Sequence, residues 1–339
     1  MTGLERTISF LSGEQVDRPP FHPIIMRWAA KYARVKYRDF CTVPDAKCLA
    51  MIRCAKDFDI DWVTVMSDPW AEASAFGLMI DYPEDSLPVD IGGHLIDAVS
   101  GTKLSKYDAN KNQRCINRIK EIDNYKKILN NEYFIVGWVE GPIAEYVDLR
   151  GASNASIDLI LEPASVDATM DIIVESAIDF ITLQVEAGAH CIGIGDAFCS
   201  QIGPELYYRF AHHHEKHLVN HIHKLGATAK LHICGNTESI LPGMISTGAD
   251  IIDIDHLVHS IAGFARLLEP YQVLSGKADP VGIIQDAEPS VIFETVKDDF
   301  IKSNARCIIS AGCEITPGTS SANMSAFSET AARLADYLN

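Results

Sequence analysis

Short apolar runs rich in isoleucine and valine recur along the whole chain, and they constrain the fold more than any other feature. Eight of them are candidate strands, at residues 22–26, 62–66, 134–139, 190–194, 229–233, 251–254, 272–275 and 307–310. The runs are nearly continuous instead of alternating between apolar and polar residues. This pattern is typical of strands that are buried on both faces of a sheet.

Stretches with helical spacing, such as residues 163–187 and 204–224, separate these runs. Eight repeats of strand and helix predict an α/β protein with a (β/α)8 barrel. The 339 residues are enough for one such barrel, so we expect a single domain over residues 1–339. Residues 1–20 are expected to form an N-terminal cap, and residues 79–130 a long excursion after the second candidate strand.

Composition excludes several classes of protein. A net charge of −17 and an isoelectric point near 5.1 disfavour binding to nucleic acid. The chain has no run of about 18 apolar residues that would predict a membrane span, and residues 1–20 carry charges in place of a signal-peptide core. We therefore expect a cytoplasmic protein.

The chain has nine cysteines and no C-x-x-C pair. An odd number of cysteines without an export signal indicates free thiols in a reducing compartment. Most of them are expected to be small buried residues. A cysteine that binds a metal must therefore be identified by its position.

Polar side chains follow the ends of the candidate strands. In a (β/α)8 barrel these ends meet at one mouth, where catalytic residues gather. The residues at these positions are Arg27, Ser67, Asp68, Glu140, Asp196, His232, Cys234, Asp255, His256, Lys277, Asp279 and Cys313. Their convergence predicts one composite site.

Three of these residues have the side chains that zinc prefers, which are thiolate and imidazole. His232 and Cys234 lie on one side of an extended segment, and Cys313, next to Gly312, could approach them across the mouth. Asp255 is a candidate fourth ligand. Two simpler interpretations stay open: a packed histidine beside a buried thiol, and an aspartate that only makes a hydrogen bond at the rim.

Two other motifs carry less information. In "HHHEKHLVNHIH" the metalloprotease pattern H-E-x-x-H fails because Leu218 replaces the second histidine, so a solvated or packed helix face is expected. In "GIGDAF" the dinucleotide-binding fingerprint fails because Phe198 stands at the third glycine position.

Four segments carry a family resemblance: "GEQVDRPPFHPIIMRWAAKY", "VMSDPW", "KLHICGNTESIL" and "SAGCEITPGTSSANMSAF". They resemble the uroporphyrinogen decarboxylase superfamily over essentially the whole chain. The last two resemble its zinc-dependent branch, the methylcobamide:thiol methyltransferases of the coenzyme M type. The resemblance implies a (β/α)8 barrel in which His232, Cys234 and Cys313 bind Zn2+ and the thiol of a methyl acceptor takes the open position. It also implies that Arg27 and Asp68 occupy the places of the catalytic arginine and aspartate of the decarboxylases.

The sequence departs from the decarboxylases at several positions. They place a histidine where this chain has Cys313, and they lack the His-x-Cys pair. Their tyrosine after the third strand has no clean equivalent, because Tyr146 lies two positions too early relative to Pro142. The resemblance therefore favours the methyltransferase branch.

The methyltransferase hypothesis includes a partner. The D-x-H-x-x-G motif that ligates cobalamin is absent from the sequence, so the corrinoid is expected on a separate corrinoid-binding protein. A zinc-bound thiol would attack the methyl group of its methyl-cobalt(III) corrinoid. Arg27 and Lys277 are candidates for binding an anionic end of the acceptor, with a rim salt bridge as the alternative for each. Asp68 and Glu140 are candidates for orienting polar groups of the substrate or shaping the pocket, with a structural role as the alternative for Glu140.

Three alternatives remain. The enzyme could move a methyl group in the reverse direction, from a methylated substrate to the corrinoid protein, because both directions need the same Lewis acid. It could be a metal-free uroporphyrinogen decarboxylase, or a non-catalytic barrel with a structural zinc. The assembly state is open, with a homodimer as one option.

Overall fold

The computed structural model describes residues 1–93, 95–96 and 104–338. Its strands in chain order are β1 Trp62–Thr64, β2 Ile80–Asp81, β3 Val89–Asp90, β4 Phe134–Glu140, β5 Cys191–Gly195, β6 Thr228–Ile233, β7 Ile251–Ile254, β8 Val273–Ala278 and β9 Cys307–Ala311. Seven of these strands form one parallel sheet in the order β1-β4-β5-β6-β7-β8-β9. The strands of this sheet follow the chain order, and helices connect them. The expected (β/α)8-type barrel is therefore confirmed.

The first candidate strand, at residues 22–26, is not a strand in the structure. Only Phe21 forms an isolated parallel bridge, to Ile309 of β9. The backbone of this segment nevertheless joins the two edges of the sheet, because His22 N donates to Ile309 O at 2.9 Å and Asp61 N donates to Phe21 O at 2.9 Å. Prolines at positions 19, 20 and 23 lack the N–H groups that a longer ladder needs.

The helices are α1 Gly3–Leu11, α2 Arg27–Ala33, α3 Tyr37–Thr42, α4 Pro44–Asp57, α5 Trp70–Phe76, α6 Gln113–Leu129, α7 Pro142–Arg150, α8 Ala152–Leu161, α9 Pro163–Ala187, α10 Cys199–Leu206, α11 His212–Lys224, α12 Leu241–Ser246, α13 Ile261–Ala265, α14 Pro289–Lys302 and α15 Ser321–Arg333. The helix expected at 163–187 is confirmed as α9. The stretch 204–224 is not one regular helix, because a π-helical segment, Tyr207–Ala211, separates α10 from α11. None of the described helices combines the length and apolar character that crossing a membrane requires.

The N-terminal segment is anchored to the start of β1. Helix α1 begins with a capping box, in which the Thr2 side chain accepts from Glu5 N and the Glu5 side chain accepts from Thr2 N. Arg6 and Arg18 both form ion pairs with Asp61, the residue before β1, and Asp61 is 2% exposed. Two cations thus neutralise one buried carboxylate at the amino end of the sheet.

The excursion expected at residues 79–130 lies between β1 and β4. It contains the antiparallel pair β2–β3, a 3₁₀ turn at Ala109–Lys111 and helix α6, while residues 94 and 97–103 lie outside the described part of the chain. Helix α6 is bonded to α4 through a fully buried ion pair between Lys47 and Glu121 at 2.9 Å. The end of the excursion is therefore part of the helical layer.

Candidate metal centre

The structure brings His232, Cys234 and Cys313 together at the carboxyl end of the sheet. His232 Nε2 lies 2.8 Å from Cys234 Sγ, and Cys234 Sγ lies 3.5 Å from Cys313 Sγ. The three potential ligand atoms all lie within 4.8 Å of one another. His232 is the fifth residue of β6, and Cys234 follows the strand directly. Residues that are 79 positions apart in sequence therefore share one site.

Two glycines allow the chain to bring these thiols together. Gly235 has a φ of +92°, which lets the backbone turn immediately after Cys234. Gly312 has a conformation that any residue could adopt, but a Cβ at this position would lie 2.8 Å from the Cα of Asp255. A larger residue at position 312 would push Cys313 away from the other two donors.

A buried charge network orients His232. Its Nδ1 lies 2.8 Å from Asp253 Oδ2, and the same oxygen lies 2.9 Å from Lys230 Nζ. Parallel pairing of β6 with β7 places His232 directly opposite Asp253. Because the Asp253 carboxylate bonds to Nδ1, the other ring nitrogen of His232, Nε2, faces the thiols, as in many metal-binding histidines. Sequence reasoning missed this role of Lys230 and Asp253, although charged residues inside apolar strand runs are a signal that such a pair exists.

The three donors influence one another's protonation. Burial alone would lower the pKa of His232, but hydrogen bonds with Asp253 and Cys313 outweigh it and raise that pKa to about 9. The hydrogen bond with Cys234, together with His232, lowers the pKa of the Cys313 thiol to about 4, despite burial. The same thiol pair, together with burial, raises the pKa of Cys234. These shifts favour the thiolate form of Cys313 and the protonated form of His232.

The other cysteines behave as core residues. All nine thiols are free, and only Cys234 and Cys313 are not fully buried. Burial raises the pKa of Cys41 and of Cys54 to about 12, which makes them unreactive. The expectation of free, mostly buried cysteines is thus confirmed, and exposure distinguishes the two candidate ligands.

Asp196, Cys199 and Glu215 form a second group of possible metal ligands, and all three are buried. Their polar atoms already have partners in the protein. Asp196 Oδ1 accepts from Ala144 N at 2.7 Å, and Glu215 Oε2 accepts from Tyr207 Oη at 2.6 Å. We interpret this group as a structural network.

A small cavity of about 190 Å³ lies against the three donors. Its apolar walls come from Ile24, Met26, Met66, Pro69, Trp138 and Ala197. Glu140 and Glu314 are the other polar residues that line it. The donors therefore face a confined and mainly apolar space.

Two of the expected site residues have other partners in the structure. Asp255 is not part of the donor group, because its two oxygens accept from Gly235 N at 2.9 Å and from Leu257 N at 3.1 Å. Lys277 donates to His256 O at 2.9 Å instead of extending towards the cavity. Asp255 thereby connects the loop after β7 to the loop after β6, and Lys277 of β8 bonds to the backbone of the loop after β7. The roles of Asp255 as fourth ligand and of Lys277 as anion-binding residue therefore stay predictions, and in this structure both side chains bond to backbone groups.

The remaining expected residues lie near the mouth. Arg27 is paired with Glu314, with Nη2 and Oε2 3.1 Å apart. Asp68 is 3% exposed and forms an ion pair with Arg114. Glu140 lines the cavity and accepts from Trp138 Nε1 at 3.0 Å. Of these three expected residues, only Glu140 reaches the cavity.

The family model for uroporphyrinogen decarboxylase (URO-D) matches residues 2–334 of this chain. A uroporphyrinogen decarboxylase from Synechococcus sp. (strain CC9605) is 26% identical over 345 residues, which covers 96% of this chain and 95% of the relative. One from Prochlorococcus marinus (strain MIT 9515) is also 26% identical, with 96% and 97% covered.

A solved structure, of a methyltransferase from Methanosarcina mazei, superposes with a TM-score of 0.88. The alignment covers 98% of this chain and 99% of that chain, at 19% sequence identity. At this identity the match establishes a shared fold.

Proposed function

The chain belongs to the uroporphyrinogen decarboxylase family, and we propose that within this family it is a methyltransferase. It would move a methyl group between a methylated corrinoid protein and a small thiol. One observation carries the proposal: His232, Cys234 and Cys313 meet at a small, mainly apolar cavity in the mouth of the barrel. The structural likeness to the Methanosarcina mazei methyltransferase supports it.

The donor set fits Zn2+. Two thiolates bound at 2.3 Å to one tetrahedral ion lie about 3.8 Å apart, and the Cys234 and Cys313 sulfurs lie 3.5 Å apart. One imidazole and two thiolates are three protein ligands, which leaves one position open, as in catalytic zinc sites. When bound, the ion would deprotonate a coordinating substrate thiol at neutral pH.

The residues around the donors would support this chemistry in three ways. Asp253 holds His232 with Nε2 towards the thiols. The apolar walls exclude water from the substrate sulfur, whose desolvation increases its nucleophilicity. The narrow cavity also limits the orientations of the thiol, which lowers the entropic part of the barrier.

The methylated corrinoid protein is the second substrate. In the proposed direction, a new sulfur–carbon bond forms as the cobalt–carbon bond breaks, and the electron pair of that bond stays on cobalt. The product is a methyl thioether. The reverse direction uses the same groups, and stopped-flow absorbance with a corrinoid protein decides between them by showing which oxidation state of cobalt is consumed.

Decarboxylation of a porphyrinogen is a second candidate, because the curated relatives carry that name. The side chains disfavour it. A tetrapyrrole with several carboxylate arms needs free cations and an accessible aspartate, whereas Arg27 is paired with Glu314 and Asp68 with Arg114. A cavity of about 190 Å³ is also small for such a ligand.

The test is a metal analysis of the purified protein and of Cys313→Ala. We expect about one zinc per chain in the wild type, and a variant that keeps its far-UV circular dichroism but loses zinc and at least about 100-fold in methyl transfer, the loss typical of removing a key catalytic interaction. Cys54→Ala is the matched control, because it removes a buried thiol from α4. A Cys313→Ala protein with full zinc content would refute the proposal. Conversion of uroporphyrinogen by zinc-free wild type would favour the second candidate.

A further inference from the structure

Among the described residues that line the cavity at the candidate metal centre, none is a lysine or an arginine. Apart from the three metal donors, its polar lining consists of two acids, Glu140 and Glu314. A negatively charged substrate group would therefore enter a space without a cation to pair with.

Arg27, the expected anion-binding residue at the edge of the cavity, is bound to another group. Arg27 donates hydrogen bonds to the Glu314 carboxylate from its backbone N, at 2.8 Å, and from Nη2, at 3.1 Å. Glu314 lines the cavity, whereas Arg27 lines a separate groove with Lys31, Arg34 and Lys36. The carboxylate of Glu314 thus neutralises the guanidinium at the edge of the cavity.

Glu140 adds no positive charge either. It is 8% exposed, and burial together with the neighbouring Glu72 and Asp148 raises its pKa well above the usual value. This shift favours the neutral carboxyl form of Glu140, which can share hydrogen bonds with an uncharged substrate.

The donor set itself leaves no surplus charge. Two thiolates, Cys234 and Cys313, and the neutral imidazole of His232 carry a charge of minus two, which balances a divalent ion. A substrate thiolate makes the centre negative. A further anionic group on the same small molecule would be repelled and poorly solvated.

We propose that the substrate in this cavity is a small, uncharged thiol or methyl thioether with an apolar body. The proposal rests on the proposed function and specifies its substrate class. The volume of about 190 Å³ lies below the roughly 300–1,000 Å³ that is usual for pockets holding drug-sized ligands, so the body is a short chain. Its apolar part contacts Met26, Met66 and Trp138, and anionic thiols are excluded.

The test measures binding of three thiols to the zinc-loaded protein by isothermal titration calorimetry. The first two, 3-mercaptopropionamide and 3-mercaptopropionate, have nearly the same shape and differ in charge, and 1-butanethiol has an apolar body. We expect 1-butanethiol to bind most tightly, and the carboxylate to bind at least about tenfold more weakly than the amide. The S-methylated amide and carboxylate repeat the comparison without an ionisable sulfur.

Glu314→Gln sharpens the test, because it removes the carboxylate that neutralises Arg27. In this variant the preference for the amide over the carboxylate should fall at least about threefold. Glu294→Gln, in the exposed ion pair with Lys297 on α14, should leave the preference unchanged. If the carboxylate binds wild type as tightly as the amide, the inference is wrong and the proposed function stands. If none of the three thiols binds, both are wrong.

Discussion

Two aspartate–histidine pairs lie around strand β7 with the same separation and different consequences. At the start of the strand, Asp250 Oδ2 lies 2.8 Å from His223 Nε2 of helix α11. Within the strand, Asp253 Oδ2 lies 2.8 Å from His232 Nδ1 of β6. Distance alone does not distinguish the two pairs.

Their surroundings do distinguish them. The side chains of the outer pair, Asp250 and His223, are 22% and 36% exposed, so water and salt screen the interaction. Asp253 has no exposure, and among the described residues it forms ion pairs with His232 and the 1%-exposed Lys230. Because the inner pair, Asp253 and His232, is buried, it fixes the orientation of the imidazole, whereas the outer pair only attaches helix α11 to the sheet.

The largest expected effect comes from Asp253→Asn. It leaves the Lys230 ammonium buried without a counter-charge, which typically costs about 3–5 kcal/mol of unfolding free energy. It also replaces the carboxylate that orients His232 with a neutral amide, which is a weaker acceptor, so zinc affinity should fall about 10–100-fold. Urea unfolding and zinc competition with a chelator measure the two effects. Zinc affinity within about twofold of wild type would show that the inner pair has no role in the metal site.

Lys230→Met separates the charge effect from the orienting effect. The variant should lose about 2–4 kcal/mol of unfolding free energy, because Asp253 loses the ammonium group and keeps its contact with His232. Zinc affinity should fall less than in Asp253→Asn, since the carboxylate still holds the imidazole. In the double variant the two stability losses should be non-additive by at least about 1 kcal/mol. Simple additivity would mean that Lys230 and Asp253 do not act as a unit.

Asp250→Asn is the matched change in the outer pair. We expect the unfolding free energy to fall by less than about 1 kcal/mol, because the pair is partly exposed and the asparagine oxygen can still accept from Ala229 N. Zinc affinity should stay at the wild-type value. The same unfolding and chelator measurements apply, and a drop in zinc affinity comparable to that of Asp253→Asn would remove the distinction between the two pairs.

The smallest expected effect is a pH dependence of the outer pair. The hydrogen bond to Asp250 outweighs partial burial and raises the pKa of His223 above its usual value of about 6.5. The folded state therefore favours the protonated imidazole. Its stabilisation is fully present below about pH 6.5 and is lost as the pH rises through the folded-state pKa.

The difference in unfolding free energy between wild type and Asp250→Asn should accordingly shrink between pH 6 and pH 8.5. The change is expected to be about 0.5 kcal/mol or less, because the pair is more than one-third exposed on the histidine side. Urea unfolding at both pH values measures it. A difference that grows with pH would contradict the assigned direction of the pKa shift.

The order of strands and helices could be read from the sequence. Seven of the eight candidate strands coincide with strands of the barrel sheet, and residues 163–187 form helix α9 with the expected ends. These features depend on local patterns, namely apolar runs, helical periodicity and proline or glycine at the boundaries. The convergence of His232, Cys234 and Cys313 also followed, because the carboxyl ends of parallel strands meet at one edge.

Only the tertiary structure decided which charged groups are free. Three features depend on the register between distant segments: the proline-rich segment that replaces the first strand, the bonding of Asp255 and Lys277 to the backbone of neighbouring loops, and the pairing of Lys230 with Asp253. A charge in the interior is stable only beside its partner, and the sequence does not state which partner lies opposite. Local periodicity therefore determined the barrel and its donors, while strand register and burial determined what those donors face.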